Sequence, residues 1–436
     1  MLRRKVFEQI LAWKATKTRQ ALLITGARQV GKTYIVREFA RQHYANFVEI
    51  NLIDDTEACR SFNAAVSGND LLARITVAAK TEMVPGKTLV FIDEVQEAKE
   101  AVTFIKFLVE RDDYDYVLSG SMLGVEMKSI RSVPVGYLHT ITMYPLDFEE
   151  FCWANGLNTS AYDQMLGHFH DLSPVEDYLH TRLLNLYHQY LIIGGMPEPV
   201  SQFIETDNIQ IVRTQQQNIV EQYRRDISRY STDSDTTAIR RIFDLIPSEL
   251  SQQNKRFVVK SIDGRTKLGR NENSFMWLVE ANVALPSYNV SEPRHPLLLS
   301  KKSSYFKLFL SDVGLLTCLC GMDVVRSMMG GRLGVNRGAL YENAVAQELV
   351  SQGRSLFYYK NKKAGELDFV IEQPDGEVIP IEVKSGKDYR RHRALKNVLA
   401  ANPGIERAFV FHEGNLSSDG LVHYLPIYMV TCLSNR

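Results

Sequence analysis

The octet Gly26-Ala-Arg-Gln-Val-Gly31-Lys32-Thr33 has the spacing G-x-x-x-x-G-K-[ST], in which each fixed residue type has a chemical task. The glycines allow a tight loop whose backbone N–H groups converge, the lysine neutralises phosphate oxygens, and the threonine hydroxyl is a hard ligand for magnesium. Gly26, Ala27, Arg28, Gln29, Val30, Gly31, Lys32, Thr33 and Tyr34 are therefore the expected contacts of ATP, with Thr33 on Mg2+. Such a site also needs carboxylates, and Leu89-Val-Phe-Ile-Asp93-Glu94 ends an apolar run with two. Asp93 is the expected magnesium ligand and Glu94 the base that orients the attacking water. A further apolar run ends in Ser119-Gly120-Ser121, where Ser121 is either a γ-phosphate sensor or the N-cap of a following helix.

A second group of ionisable residues lies near the C-terminus. Glu366-Leu-Asp368 and Ile381-Glu382-Val383-Lys384 each sit in a short apolar run, and period-two alternation puts Glu382 and Lys384 on one strand face. Asp368 and Glu382, with Glu342 upstream, would hold magnesium while Lys384 orients or deprotonates a water, the arrangement of metal-assisted phosphodiester cleavage. Glu and Lys two apart on a strand also read as a solvated face or a cross-strand ion pair. Lys387, Arg390, Arg391, Arg393 and Lys396 follow closely, as phosphate contacts for DNA or as a solvated helix face. Residues 255–307 carry ten basic against four acidic residues, a second positive stretch with a net charge of +6. DNA is the expected macromolecular partner.

The elements that must position these groups can be read from periodicity. A helix over residues 3–16 leads to a strand at Ala21–Thr25, a helix from Lys32, a strand at Phe47–Asn51 and helical stretches to Lys80. Strands at Leu89–Asp93 and Tyr116–Ser119 flank a helix from Lys99 to Arg111, a βα series typical of a parallel sheet. After Pro145 long helical segments dominate. Ser173-Pro-Val-Glu176 has the form of an N-cap, a proline at the first position and a capping-box glutamate. From Gly338 a second α/β pattern follows: a helix at Leu340–Ser351, strands near Leu356, Leu367, Val378 and Ala408, and a basic helix from about Lys387 to Leu399.

With 436 residues, the chain is long enough for two or three domains. Its 51 basic and 51 acidic residues cancel, so any nucleic-acid footprint must be local. Five cysteines form no C-x-x-C pair and read as reduced thiols. No apolar run approaches the ~20 residues that cross a bilayer, and the start of the chain has no signal-like apolar region. The expectation is a cytoplasmic protein with no membrane partner.

Several segments together resemble an AAA-like P-loop ATPase family of bacteria and archaea that carries a C-terminal domain of unknown function. They are the octet, Phe91-Ile-Asp-Glu-Val-Gln96, Tyr144-Pro-Leu-Asp-Phe-Glu-Glu-Phe151, Gly194-Gly-Met-Pro-Glu198, Arg225-Asp226-Ile227 and Leu310-Ser-Asp-Val-Gly314. The resemblance spans nearly the whole chain. It implies an α/β protein: a P-loop NTPase parallel sheet over residues 1–160, a helical and winged-helix middle over 161–335, and a restriction-endonuclease-like domain over 336–436. The last carries the residues of a PD-(D/E)XK pattern. One departure is that Gly136 is followed by Tyr137 where the family has arginine. That arginine's role then passes to Arg131 or to another copy of the chain, which would make a homo-oligomer. The expected function is ATP hydrolysis coupled to DNA binding or processing. The rival is an ATP-dependent switch that scaffolds a protein partner, with an inactive nuclease fold.

Overall fold

Five short apolar runs, β1 (Ala21–Thr25), β2 (Asn46–Asn51), β3 (Thr88–Asp93), β4 (Asp115–Gly120) and β5 (Leu138–Thr142), form one sheet in the order β2-β3-β4-β1-β5. All its pairings are parallel. In this computed structural model, which describes residues 2–16, 18–121, 134, 136–231, 233–252, 268–329 and 337–434, every residue of β3 is buried. That burial is expected of a parallel strand with helices on both faces. The helices α1 (Val6–Thr16), α2 (Lys32–His43), α3 (Thr56–Asn63), α4 (Gly68–Ala78) and α5 (Lys99–Arg111) follow the expected alternation. Asp55 and Ser67 cap α3 and α4, accepting the N–H groups of Ala58 and Asp70. Because β4 is inserted between β1 and β3, the strand end with Ser119 and Ser121 lies between the octet and Asp93-Glu94. These elements form a compact unit over Arg3–Tyr144, with Glu280–Asn282.

The second unit comprises Met1–Leu2, Pro145–Val279 and Val283–Arg436. Its helical part includes Asp177–Ile193, Pro197–Thr206, Ile209–Tyr230 and Asp233–Ser251. Three of the resembling segments lock together here. Leu146 donates its N–H to Gly195 O at 2.7 Å, and its carbonyl accepts from the Tyr190 hydroxyl at 2.8 Å. The buried Asp312 carboxylate accepts the N–H groups of Gly195 (2.6 Å) and Leu315 (2.9 Å). Burial pushes the Asp312 carboxyl up to about 6, even though these donors favour the charged form. A Cβ on Gly195 would lie 2.0 Å from Leu146 O, so only glycine permits this approach.

An eight-stranded sheet closes the unit. It contains β6 (Ala284–Val290), β7 (Lys301–Leu310), β8 (Leu356–Asn361), β9 (Gly365–Glu372), β10 (Val378–Val383), β11 (Ala408–His412), β12 (Ser417–Asp419) and β13 (Val422–Pro426). The order is β12-β13-β11-β10-β9-β8-β6-β7. The expected boundary near residue 335 therefore falls inside a sheet: β6 and β7, from the expected winged-helix middle, join through a parallel pairing of β6 with β8. The helix Gly338–Ser351 is buried from Ala339 to Leu349 and carries Glu342.

Two local expectations fail for tertiary reasons. The capping box at Ser173 does not form; the helix starts at Asp177, and no side chain caps it. Ser173 and Glu176 instead bond the two ring nitrogens of His168, each at 2.9 Å, and the Val175 backbone pairs with the Asn415 side chain. The basic helix spans Arg393–Ala401 only. Tyr389 stacks on His412 with ring centroids 3.9 Å apart, and buried His392 meets the Tyr424 hydroxyl, which holds residues 387–392 out of the helix.

Gly195→Ala should destabilise the second unit by about 1–3 kcal/mol through overpacking against Leu146 O. Denaturant unfolding followed by the fluorescence of Trp153 and Trp277 measures it, and an unchanged midpoint would refute the close approach.

Candidate functional site

The octet turns sharply from β1 into α2. Gly26 has φ 137, and a Cβ there would lie 2.1 Å from Met143 O, so the loop start is pressed against the chain after β5. Gly31 sits in the left-handed region at the N-cap of α2, and no side chain caps its amides. Helix N-terminal amides left without such a cap suit an anion. Gly26, Ala27, Val30 and Lys32 are buried, Arg28, Gly31 and Thr33 half-buried, and Gln29 and Tyr34 exposed. Lys32 folds back on its own loop, its ammonium donating to Gly26 O at 2.9 Å and Ala27 O at 2.8 Å. Burial pushes it down to about 8, against the opposing pull of Glu94 and Asp93.

Asp93, at the end of β3, gathers donors from its surroundings. The Thr33 hydroxyl donates to Oδ2 at 2.8 Å, Asn51 to the same oxygen at 3.2 Å, and Ser119 and the Glu94 N–H to Oδ1. Glu94 itself has a left-handed backbone (φ 56). Its carboxylate accepts from Ser121 (3.0 Å) and Gln96 (2.6 Å). Ser121 thus meets the carboxylate expected to act on water. Arg131 lies outside the described residues, and Tyr137 bonds Glu110 at 2.6 Å. No local pattern marks Arg4 as part of the site. Its buried guanidinium donates to Val30 O at 3.1 Å and to Tyr144 O at 2.6 Å, bracing the octet from the segment that precedes α1.

In the second unit, β9 and β10 pair antiparallel with Phe369 opposite Ile381, and the next step in that register sets Asp368 beside Glu382. Asp368 accepts the Val383 N–H at 2.9 Å, and Lys384 donates to Glu382 at 2.7 Å. Burial, then the Asp368 charge, push Glu382 up to about 7 against the pull of Lys384. Glu342 is buried nearby and adds to that field. Asp368, Glu382 and Lys384 thus lie on neighbouring strand positions, but Asp368, Glu382 and Glu342 do not gather as the expected three-carboxylate ligand set among the described residues. Lys307, counted in the second positive stretch, is instead fully buried on β7, where it pairs with Glu366 at 2.8 Å and so offers no surface charge; Glu366 is also held by Lys360. Burial alone would lower the Lys307 ammonium, but Glu342, Glu366 and Asp368 together raise it. A lone lysine in the apolar run Phe306-Lys-Leu-Phe-Leu310 was the available signal. Among the described residues no three His, Cys, Asp or Glu side chains come together as a metal-ligand set. The cationic residues Lys387, Arg390, Arg391, Arg393 and Lys396 are exposed, while Lys255, Arg256, Lys260, Arg265 and Lys267 of the second positive stretch lie outside the described residues. No described helix is long and apolar enough to cross a membrane.

Residues 18–152 match the family model of an AAA domain, and residues 184–326 and 337–430 match two domains of unknown function, DUF8612 and DUF4143. No curated protein matches the chain. Among solved structures, the Walker-type ATPase paby2304 of Pyrococcus abyssi is similar at 12% identity, covering 74% of this chain and 96% of that one, with a TM-score of 0.44. PCH-2 of C. elegans is similar at 15% identity over 46% and 60% of the two chains, with a TM-score of 0.28. The RuvB Holliday junction branch migration motor of Thermotoga maritima is similar at 14% identity over 68% and 91%, with a TM-score of 0.29. The domain match and the parallel sheet together identify the N-terminal region as a P-loop ATPase domain of AAA type.

Lys32 should make nucleotide affinity pH-dependent. With its free value near 8, the lysine is neutral above that pH and must take up a proton to meet phosphate. ATP affinity should therefore hold steady below about pH 7.5 and fall roughly tenfold per pH unit above about 8. Dissociation constants measured up to about pH 9.5 check this; a flat profile would show an ordinary lysine.

Proposed function

We propose that the N-terminal unit binds and hydrolyses MgATP, and that nucleotide state governs how the second unit meets DNA. The observation that carries the first part is the 2.8 Å bond from the Thr33 hydroxyl to Asp93, which joins the phosphate loop to the acidic strand end. Two oxygen donors this close suit magnesium, which prefers oxygen and takes few protein ligands beside phosphates and water. Thr33 and Asp93 would hold the ion, which when bound draws charge from the phosphate oxygens. The chain's own groups do the rest. Gly26 to Thr33 wrap the phosphates with backbone N–H groups, and Lys32 leaves the Gly26 and Ala27 carbonyls to neutralise them. Glu94, released from Ser121 or Gln96, accepts a hydrogen bond from the attacking water and aligns it. Ser121, already on Glu94, is suited to couple that release to the γ-phosphate.

For the second unit, support comes from the exposed Lys387, Arg390, Arg391, Arg393 and Lys396 beside Asp368, Glu382 and Lys384. Arg390 lies 5.0 Å from the centre of the Tyr424 ring, which orients one cation at the surface. The nuclease-like reading of this domain rests on the convergence of Asp368, Glu382 and Lys384. A second reading, a switch whose nuclease fold is inert, is favoured by the lysines already paired with Glu366 and Glu382. The two compact units support an ATPase module to about Tyr144 and one larger body beyond it, in place of the expected limits near residues 160 and 335.

Lys32→Ala should abolish ATP binding, whereas Glu94→Gln should bind ATP and lose turnover by about 10²- to 10⁴-fold. Steady-state hydrolysis and nucleotide binding on the same preparations separate the two, and full turnover by Glu94→Gln would remove it from the chemistry. Neutralising Arg390, Arg391 and Arg393 together should lower the log–log salt slope of duplex binding by about 0.9 per lost phosphate contact. An unaltered slope would make that turn an ordinary solvated surface.

A further inference from the structure

The carboxylates of the second unit already contain a cation. Lys307, on β7, has no solvent exposure and is attracted to Glu342 of the buried helix Gly338–Ser351. Its ammonium is 2.8 Å from Glu366 and 4.8 Å from the centre of the Tyr358 ring, and it is attracted to Glu342, Glu366 and Asp368. Two further lysines enter from the rim, Lys360 onto Glu366 and Lys384 onto Glu382. Among the described residues, Glu342, Glu366, Asp368 and Glu382 face three ammoniums, those of Lys307, Lys360 and Lys384. A buried ammonium is tolerated only when paired, and a buried carboxylate likewise. A divalent ion placed among these groups would have to compete with three ammoniums already there, one of them, on Lys307, fully buried. The residues therefore do not fit the magnesium expected of a PD-(D/E)XK pattern.

We infer that Lys307 is the resident cation of this cluster, occupying the electrostatic role of a catalytic metal and leaving the C-terminal domain a metal-independent body that does not cut DNA. Lys307 cannot reach a ligand, since it is enclosed; its effect is on which ions its neighbours accept. The inference is independent of the nucleotide reading, because ATP turnover by the first unit does not require the cluster.

The test is Mn2+ binding to the full chain without nucleotide, carrying Asp93→Asn to silence the first unit's acidic strand end. With Lys307 intact, no saturable binding is expected up to about 1 mM, the weak end for oxygen-ligand sites. Adding Lys307→Met should create one saturable site, and adding Glu382→Gln should remove it again. If the chain with Lys307 intact binds one Mn2+ ion that Glu382→Gln abolishes, the inference is overturned. It is equally overturned if the Lys307→Met chain, folded by circular dichroism, gains no site. Should Lys307→Met fail to fold, the measurement with Lys307 intact still decides. ATP hydrolysis by Lys307→Met in the otherwise native chain, expected to be unchanged, separates failure here from failure of the nucleotide reading.

Discussion

The first unit depends on one buried carboxylate. Asp93 accepts from Thr33 on α2, Asn51 on β2, Ser119 on β4 and the N–H of Glu94. A carboxylate removed from water is costly unless its lone pairs are filled, so these donors must sit where they do. The strand ends are thereby held level on the side where the octet turns. Parallel pairing alone would not do this, since backbone ladders fix spacing and register while leaving the positions of polar side chains to the ends of the strands. Chemistry and architecture meet in a single side chain.

Glu94 shows a second layer of the same logic. Its left-handed backbone turns the carboxylate away from the line of β3, toward Ser121 and Gln96. Lys32 is similarly occupied by loop carbonyls. Both groups expected to act on a nucleotide are therefore satisfied internally in this structure. Binding must exchange those bonds for new ones, so affinity reports a difference between two sets of contacts rather than the strength of either.

What was legible in the sequence was what local pattern controls. β1 and α5 fall where periodicity put them, and the octet and Asp93-Glu94 are adjacent because strand ends in a parallel sheet point the same way. Glu382 and Lys384 meet on β10, and the register of β9 with β10 sets Asp368 beside Glu382. What was not legible came from distant partners. Asn415 and His168 override a well-formed capping signal at Ser173, Arg4 reaches the octet from the segment before α1, and Lys307 finds acids on other elements. Gly195 was noticed as part of a motif, but its reason, the carbonyl of Leu146, lies 49 positions earlier.

The pairing of β6 with β8 has a consequence for how the polypeptide matures during synthesis. The hairpin β6–β7 leaves the ribosome well before Leu356–Asn361, so one edge of β6 stays unpaired while the intervening segment is made. An open edge is a template for pairing with other chains, and non-local pairing is slow. The regions matched to two separate domains of unknown function thus share one sheet, and a fragment starting near residue 337 would expose the β8 edge that β6 covers. A chaperone that masks strand edges would find its need for action concentrated in that interval of translation.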